Sequence, residues 1–204
     1  MIAIIDYGLG NVLAFVNVYN RLNIPVAVAS SASDLANVTK LILPGVGSFD
    51  HAMHLFDTSG MRQPVEQLVL QNAIPVLGIC VGMQMLANSS DEGALPGLGW
   101  IDGKVKKFAP SAMPLGTNLP HMGWNDVRPV VDGGLFKGME QDARFYFLHS
   151  YYFECHQQPN VLAFTDYGGN FNCAVRRDNV YGVQFHPEKS HYFGAKLLKN
   201  FADI

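Results

Sequence analysis

Four short aliphatic runs constrain this chain of 204 residues more than anything else in it: IAIID at 2–6, VAVAS at 26–30, KLILP at 40–44 and PVLGI at 75–79. IAIID reads as a buried strand and the other three as strands of the same kind. Between them, residues 11–22 carry a helical pattern. The segment 61–74 sets Val65, Leu68 and Val69 at helical spacing, with Ile74 a further candidate, as a crossover helix over the sheet requires. Strand and helix in alternation imply right-handed βαβ units and a parallel sheet.

From about Gly97 the pattern changes. LGWIDGKVKKF, HMGWNDVRPV, ARFYFLHSYYFEC, VLAFTDYG and NCAVRRDNVYGVQFH are strand-like pieces separated by Gly, Asn, Asp and Pro. A closing helix is expected from near Ser190, carrying Phe193, Leu197, Leu198 and Phe201. The fold class that follows is α/β: a mostly parallel central sheet with flanking helices, then a mixed or antiparallel second half.

The length suits a single domain over residues 1–204. Hydrophobic residues at 49%, charged residues at 15% and a formal charge of -3 describe an ordinary globular chain with no pull toward nucleic acid or an anionic membrane. No apolar run approaches the ~18 residues of a membrane helix and no signal peptide opens the chain, so a cytoplasmic protein is expected. Cys80, Cys155 and Cys173 are scattered and without C-x-x-C spacing, which argues against a disulfide framework and against a thiolate metal site. No metal and no cofactor are expected.

Cys80 stands apart from the other two. Gly78-Ile79-Cys80-Val81-Gly82 fits G-x-C-x-G, a nucleophile elbow with cysteine at the turn from strand to helix. A side chain at Gly78 or Gly82 would crowd the neighbouring strand or helix. A free thiol with a pKa of ~8.5 is only slightly ionised at neutral pH, and a helix amino terminus or a nearby imidazolium favours the anion. A lone cysteine is more often a small packed residue, and Cys155 and Cys173 read that way. The glycines at the junction reverse the odds for Cys80.

A thiol nucleophile needs a base. His186 follows an apolar strand and is followed by Pro187, which stops the strand, and by Glu188, whose carboxylate can reach back and fix the imidazole tautomer. Alone, His-Pro-Glu is better explained by a solvated turn; with the elbow it completes a Cys-His-Glu triad. His51, His54, His156 and His191 read as solvated, and His121 and His149 as accessories in strand-like segments. The N–H of Val81 is one oxyanion donor by elbow geometry, and the glycines of PGVGSF, residues 44–49, permit exposed amides for a second at a sheet edge. DYGLGNVL has Leu13 where a dinucleotide fingerprint needs its third glycine, so a tight βα turn explains it.

With GICVGMQ as nucleophile motif and GVQFHPE as histidine and glutamate motif, the chain resembles the class I, triad-type glutamine amidotransferases. The resemblance runs end to end, through IDYGLGN, LPGVGSF, LPGLGWI, PHMGWN, FYFLHSYY and YGVQFHPEKS. It implies the flavodoxin-like fold of that family and hydrolysis of L-glutamine to glutamate and ammonia, with Cys80 attacking, His186 moving protons and Glu188 orienting it. It also implies that Gly45, Val46 and Gly47 supply the oxyanion loop and that Gln84, Ser150 and Tyr151 hold the substrate, with His149 beside them.

Within the family the chain is most similar to subunits that serve histidine biosynthesis. These pass ammonia to a (βα)8-barrel cyclase partner acting on a phosphorylated ribulose intermediate. Met122 and Trp124 and the aromatic run RFYFLHSYYF suit an interface on chemistry alone, although Phe145 and Phe147 are as readily core. The family match places Trp124, Asn125, Tyr146 and Lys189 on that face. Two other readings compete: a different α/β cysteine hydrolase, disfavoured by Glu188 and Gln84, and a noncatalytic subunit, disfavoured by the complete triad. The motifs leave the acceptor open, since paralogous glutaminases feed sugar-modifying synthases for surface polysaccharide.

Overall fold

The computed structural model describes residues 1–109 and 117–204. In chain order the elements are β1 (Ile2–Ile5), α1 (Val12–Arg21), β2 (Val26–Ala29), β3 (Lys40–Gly45), α2 (Phe49–Thr58), α3 (Arg62–Glu66), β4 (Val76–Cys80), α4 (Val81–Met85) and β5 (Ser89–Ser90). They continue as β6 (Gly103–Lys107), β7 (His121–Asp126), β8 (Arg128–Pro129), β9 (Arg144–His149), β10 (Tyr151–Cys155), β11 (Val161–Asp166), β12 (Asn170–Arg177), β13 (Val180–Val183) and α5 (His191–Asp203).

The main sheet runs β2-β1-β3-β4-β13-β12-β10-β6-β5. Its first five strands are parallel and follow the 2-1-3-4-5 order of flavodoxin-like sheets. The pairs β13-β12, β12-β10 and β10-β6 are antiparallel, and the two-residue β5 joins β6 in parallel at the edge. The four aliphatic runs are thus β1 to β4, as expected. NCAVRRDNVYGVQFH is two strands rather than one: the chain reverses at Asp178, whose φ is +52°, and β13 enters beside β4 in parallel. That one pairing brings the end of the second half to the edge where Cys80 sits.

Helix α1 is capped by Asn11, whose side chain accepts from the Ala14 N–H, and buries Phe15, Val18 and Tyr19 at i, i+3 and i+4. Helix α2 buries Phe49, Ala52, Met53 and Phe56 in the same rhythm. The crossover helix begins as α3 and widens into a π turn over Gln67–Gln71; Val65 and Val69 are buried, and Ile74 lies past its end with its N–H on the Leu68 carbonyl. Helix α5 buries Leu197, Leu198 and Phe201.

Strands β7 and β9 form a separate ribbon. Its inner face carries Phe145 and Phe147, both buried, with Phe145 stacked on Phe185 at 3.9 Å between ring centroids. The aromatic run is therefore core on one face and surface on the other. Among the described residues no helix is long and apolar enough to cross a membrane, and no three His, Cys, Asp or Glu cluster to hold a metal ion.

Candidate active site

The elbow is built by removing side chains from a crossing of backbones. Gly78 of β4 pairs with Leu43 of β3 on one side and Gly182 of β13 on the other. A Cβ at Gly78 would lie 2.6 Å from the Gly82 carbonyl oxygen, one at Gly82 would collide with the Leu43 carbonyl, and one at Gly45 would collide with the Gly82 nitrogen. With α4 thus pressed onto the sheet, the chain must turn within one residue. Cys80 makes the turn at φ +55°, ψ -113°, a conformation that costs on the order of 1–3 kcal/mol and persists only where packing enforces it. The helix that follows is only five residues long, so its dipole adds less to thiolate stability than the sequence suggested.

His186 arrives from β13. Its N–H donates to the Tyr146 carbonyl at 2.9 Å, and its own carbonyl accepts from the Ser190 hydroxyl at 2.6 Å. The next residues, Pro187–Lys189, form a 3₁₀ turn that folds Glu188 back onto the ring, and Nδ1 lies 2.8 Å from Glu188 Oε1. Both side chains are at most 4% exposed. A carboxylate can only accept, so Nδ1 carries the proton and Nε2 is the nitrogen left for Cys80. Nε2 has no hydrogen-bond partner among the described residues. Burial works against an imidazolium here, but the Cys80 thiolate and the Glu188 carboxylate outweigh it and hold His186 up at about 10.

These groups open onto a cavity of roughly 310 Å³. Val46, Gly47, Val81 and Gln84 line it together with Cys80 and His186, and His149, Ser150 and Tyr151 line it from the junction of β9 and β10. Gly45 is not on the wall: it sits one residue back, under Gly82, where its lack of a side chain lets β3 and α4 touch. Val46 is 40% exposed, and Gly47, at φ +86°, has nothing within 4 Å of where a Cβ would be. Gln84 is held by the Tyr151 carbonyl at 3.2 Å and by Gln184 Oε1 at 3.1 Å, and Gln184 Nε2 lies 3.8 Å from Cys80 Sγ.

Beyond the expected residues the site includes Gln184 and Leu148, and two others, Glu92 and Tyr7, join it from distant parts of the chain. Glu92 lines the cavity, with Oε2 accepting from the Phe49 N–H at 2.8 Å. Tyr7 donates its hydroxyl to the Pro44 carbonyl at 2.7 Å, anchoring the start of the Val46–Gly47 segment. Burial first, then the Cys80 charge, raises the Tyr7 pKa, so the phenol remains a donor. Nothing local marks either residue: one lies in SSDEG and the other in a turn explained by its glycines. Cys155 and Cys173 are buried free thiols, and burial pushes Cys173 up to about 12.

On the outer face of the ribbon, Met122 and Trp124 are exposed, and Trp124 sits edge-on to Tyr146 and stacks on His191. Lys189 Nζ lies 6.0 Å from the Tyr146 ring centroid. Leu148, also exposed on this face, and Lys189 both line the cavity as well, so the patch and the cavity adjoin. Asn125 points the other way. The alternation of β7 places it with His121 on the inner face, where its amide nitrogen is 2.9 Å from the Asp166 carbonyl.

A family model described as glutamine amidotransferase class-I matches residues 3–204. The chain is 64% identical over 204 residues to imidazole glycerol phosphate synthase subunit HisH of Bdellovibrio bacteriovorus, and 52% identical to the protein of the same name from Leptospira interrogans, covering all of both chains in each case. Its fold matches a crystal structure of a glutamine amidotransferase with TM-score 0.76 at 20% identity, covering 99% of this chain and 97% of that one. PurLQS from Thermotoga maritima matches with TM-score 0.74 at 16% identity and the same coverage. A full-length match to the family model, relatives identical at more than half their positions, and a cysteine elbow facing a His-Glu pair on the matching fold agree: the chain belongs to the class-I glutamine amidotransferases.

Proposed function

We propose that this chain is the glutaminase subunit of an imidazole glycerol phosphate synthase. It would hydrolyse L-glutamine in the cavity below the Trp124 patch and pass ammonia to a (βα)8-barrel cyclase subunit, HisF type, seated on that patch. The whole of residues 1–204 would act as one amidotransferase domain, in the cytoplasm. The observation that carries the reading is the convergence of Cys80, His186 and Glu188 at one sheet edge in a protein 64% identical to a HisH subunit.

In this reading the Cys80 thiolate adds to the side-chain amide carbon of glutamine. The oxyanion that forms is met by the Val81 N–H and an amide of the Val46–Gly47 segment. The His186 imidazolium gives its Nε2 proton to the departing nitrogen, which leaves as ammonia, and a glutamyl thioester remains on Cys80. His186, now neutral and held on its Nδ1 proton by Glu188, takes a proton from water at Nε2. The hydroxide attacks the thioester, glutamate leaves, and the thiolate and imidazolium are restored. At the far end of the cavity Gln84, Ser150 and Tyr151 offer polar contacts to the amino-acid end of the substrate, and Glu92 supplies a carboxylate suited to its ammonium group.

The test is to isolate the protein's partner from its native source, identify it, and assay the pair for glutamine-dependent formation of imidazole glycerol phosphate. The reading expects a barrel cyclase and glutamine-dependent product. A partner from a sugar-modifying pathway, or product formed only from added ammonium salt, would contradict it.

A further inference from the structure

A run of hydrogen bonds connects the ribbon to the cavity and takes no part in the steps above. Asn125 Nδ2 lies 2.9 Å from the Asp166 carbonyl and 3.2 Å from His121 Nε2. His121 Nδ1 lies 3.0 Å from His149 Nε2, and His149 Nδ1 lies 2.8 Å from the Tyr151 carbonyl, the same oxygen that accepts from Gln84. Both rings are buried, His121 lying between Phe147 and Tyr167 with its plane within 20° of each.

The two ends determine where every proton sits. Asn125 Oδ1 accepts from the Asp126 N–H, and the Asp166 carbonyl can only accept, so Nδ2 points at Asp166 and gives its second hydrogen to His121 Nε2. The Tyr151 carbonyl can only accept, so His149 is protonated on Nδ1. With both rings neutral, one arrangement remains, in which His121 Nδ1–H donates to His149 Nε2. A proton added to either ring would set two N–H groups against each other.

We propose that His121 and His149, each held as the neutral Nδ1–H tautomer, are positioning residues for glutamine. They fix the Tyr151 carbonyl and, through it, Gln84, and they tie the substrate end of the cavity to the ribbon that carries Met122 and Trp124. The proposal rests on the reading of the cavity as a glutamine site. Packing alone would be served better by two apolar rings, because a buried imidazole must have partners at both nitrogens; a satisfied polar run buys orientation instead. Burial drives His121 down to about 4. Burial, aided by the His121 and His186 charges and opposed by the Tyr151 carbonyl, drives His149 to about 3, so both are neutral at working pH.

Nitrogen-15 NMR of the full-length chain at neutral pH should show both rings as neutral Nδ1–H tautomers; an Nε2–H tautomer or an imidazolium at either position overturns the proposal. Glutamine kinetics of the assembled synthase test the role. His149→Asn keeps a donor for the Tyr151 carbonyl but loses ring volume, whereas His149→Phe keeps the volume, beside Phe108, Phe147 and Phe171, and loses the donor. His149→Phe should raise KM for glutamine about tenfold with kcat little changed, and His149→Asn should stay within about threefold of the unsubstituted enzyme. The reverse order overturns the proposal. Should His149→Phe fail to fold, Asn125→Ala, at a half-buried strand position, should raise KM about threefold, and an unmoved KM overturns it equally. Turnover by the unsubstituted complex is measured first: its absence overturns the glutaminase reading and this proposal with it, whereas normal turnover with unmoved KM values overturns this proposal alone.

Discussion

Two neighbouring parts of the cavity lining, at the ends of the adjacent strands β4 and β3, are built by opposite means. On the Cys80 side, Gly45, Gly78 and Gly82 let β3, β4 and α4 touch backbone to backbone, and every residue of α4 is buried. On the Val46–Gly47 side, the chain is exposed, held at its root by the Tyr7 hydroxyl on Pro44, and has open space around Gly47. A nucleophile whose backbone is strained has to be held by what surrounds it, and packing that dense leaves it no alternative position. An oxyanion donor that must be aimed only when substrate is present can reside on a segment with room to turn. In the proposed mechanism the site therefore fixes its nucleophile and the Val81 N–H in advance and leaves only the second oxyanion donor, on the Val46–Gly47 segment, adjustable.

Substitutions at the two parts should therefore fail differently. The largest effect belongs to the fixed part: Cys80→Ala should lower glutamine hydrolysis by the complex by about 10⁴-fold or more without moving the melting temperature, measured by ammonia release and calorimetry. Cys155→Ala and Cys173→Ala should leave turnover nearly intact, since neither thiol is near the cavity. Next, Glu188→Gln replaces an acceptor for His186 Nδ1–H by an amide that can present the wrong tautomer, and should cost about 10²-fold or more in kcat with little change in KM.

The glycines sharpen the contrast further. Gly82→Ala drives a methyl into the Leu43 backbone and should cost more than about 3 kcal/mol, read as loss of soluble folded protein or a large drop in denaturant midpoint. Gly47→Ala meets no atom and bears only the strain of a positive φ, about 1 kcal/mol, or about 2–4 °C in melting temperature; its effect should be on kcat. Equal destabilisation by the two would show that Gly47 is as tightly packed as Gly82.

The effects of pH on stability differ in sign by region. His186 titrates in the fold at about 10, above its unfolded value near 6.5, so its contribution is complete below that value and is lost as pH rises through about 10. His121 and His149 titrate below the unfolded value, so the unfolded chain takes up their protons first. The melting temperature should then fall as pH drops from about 6.5 toward 4. His149→Asn should flatten the acid limb and leave the alkaline limb unchanged.

What could be read from the chain before its structure follows the same division. G-x-C-x-G is legible because its steric demand is local: two missing side chains within five residues announce a crossing. His-Pro-Glu is legible because the turn and the carboxylate are contiguous. Helix α2 is legible in the same way, since Phe49, Ala52, Met53 and Phe56 recur at helical spacing and His51 and His54 fall on its solvated side. By contrast, Glu92 and Tyr7 reach the site through contacts 43 and 37 residues away in the chain, to Phe49 and Pro44. Nothing in their own neighbourhoods points there. Asn125 shows the limit of a residue match in a strand: neighbours in sequence face opposite ways, so Trp124 is at the surface while Asn125 serves His121.

The proposed mechanism requires Cys80 to act as a covalent nucleophile. The most direct test is to mix the assembled synthase with glutamine, quench in acid within the turnover time, and map the acyl adduct by mass spectrometry of the digested chain. A glutamyl thioester on Cys80 alone, absent from Cys80→Ala, is the predicted result. Turnover with no adduct on Cys80, or an adduct on Cys155 or Cys173, would contradict it.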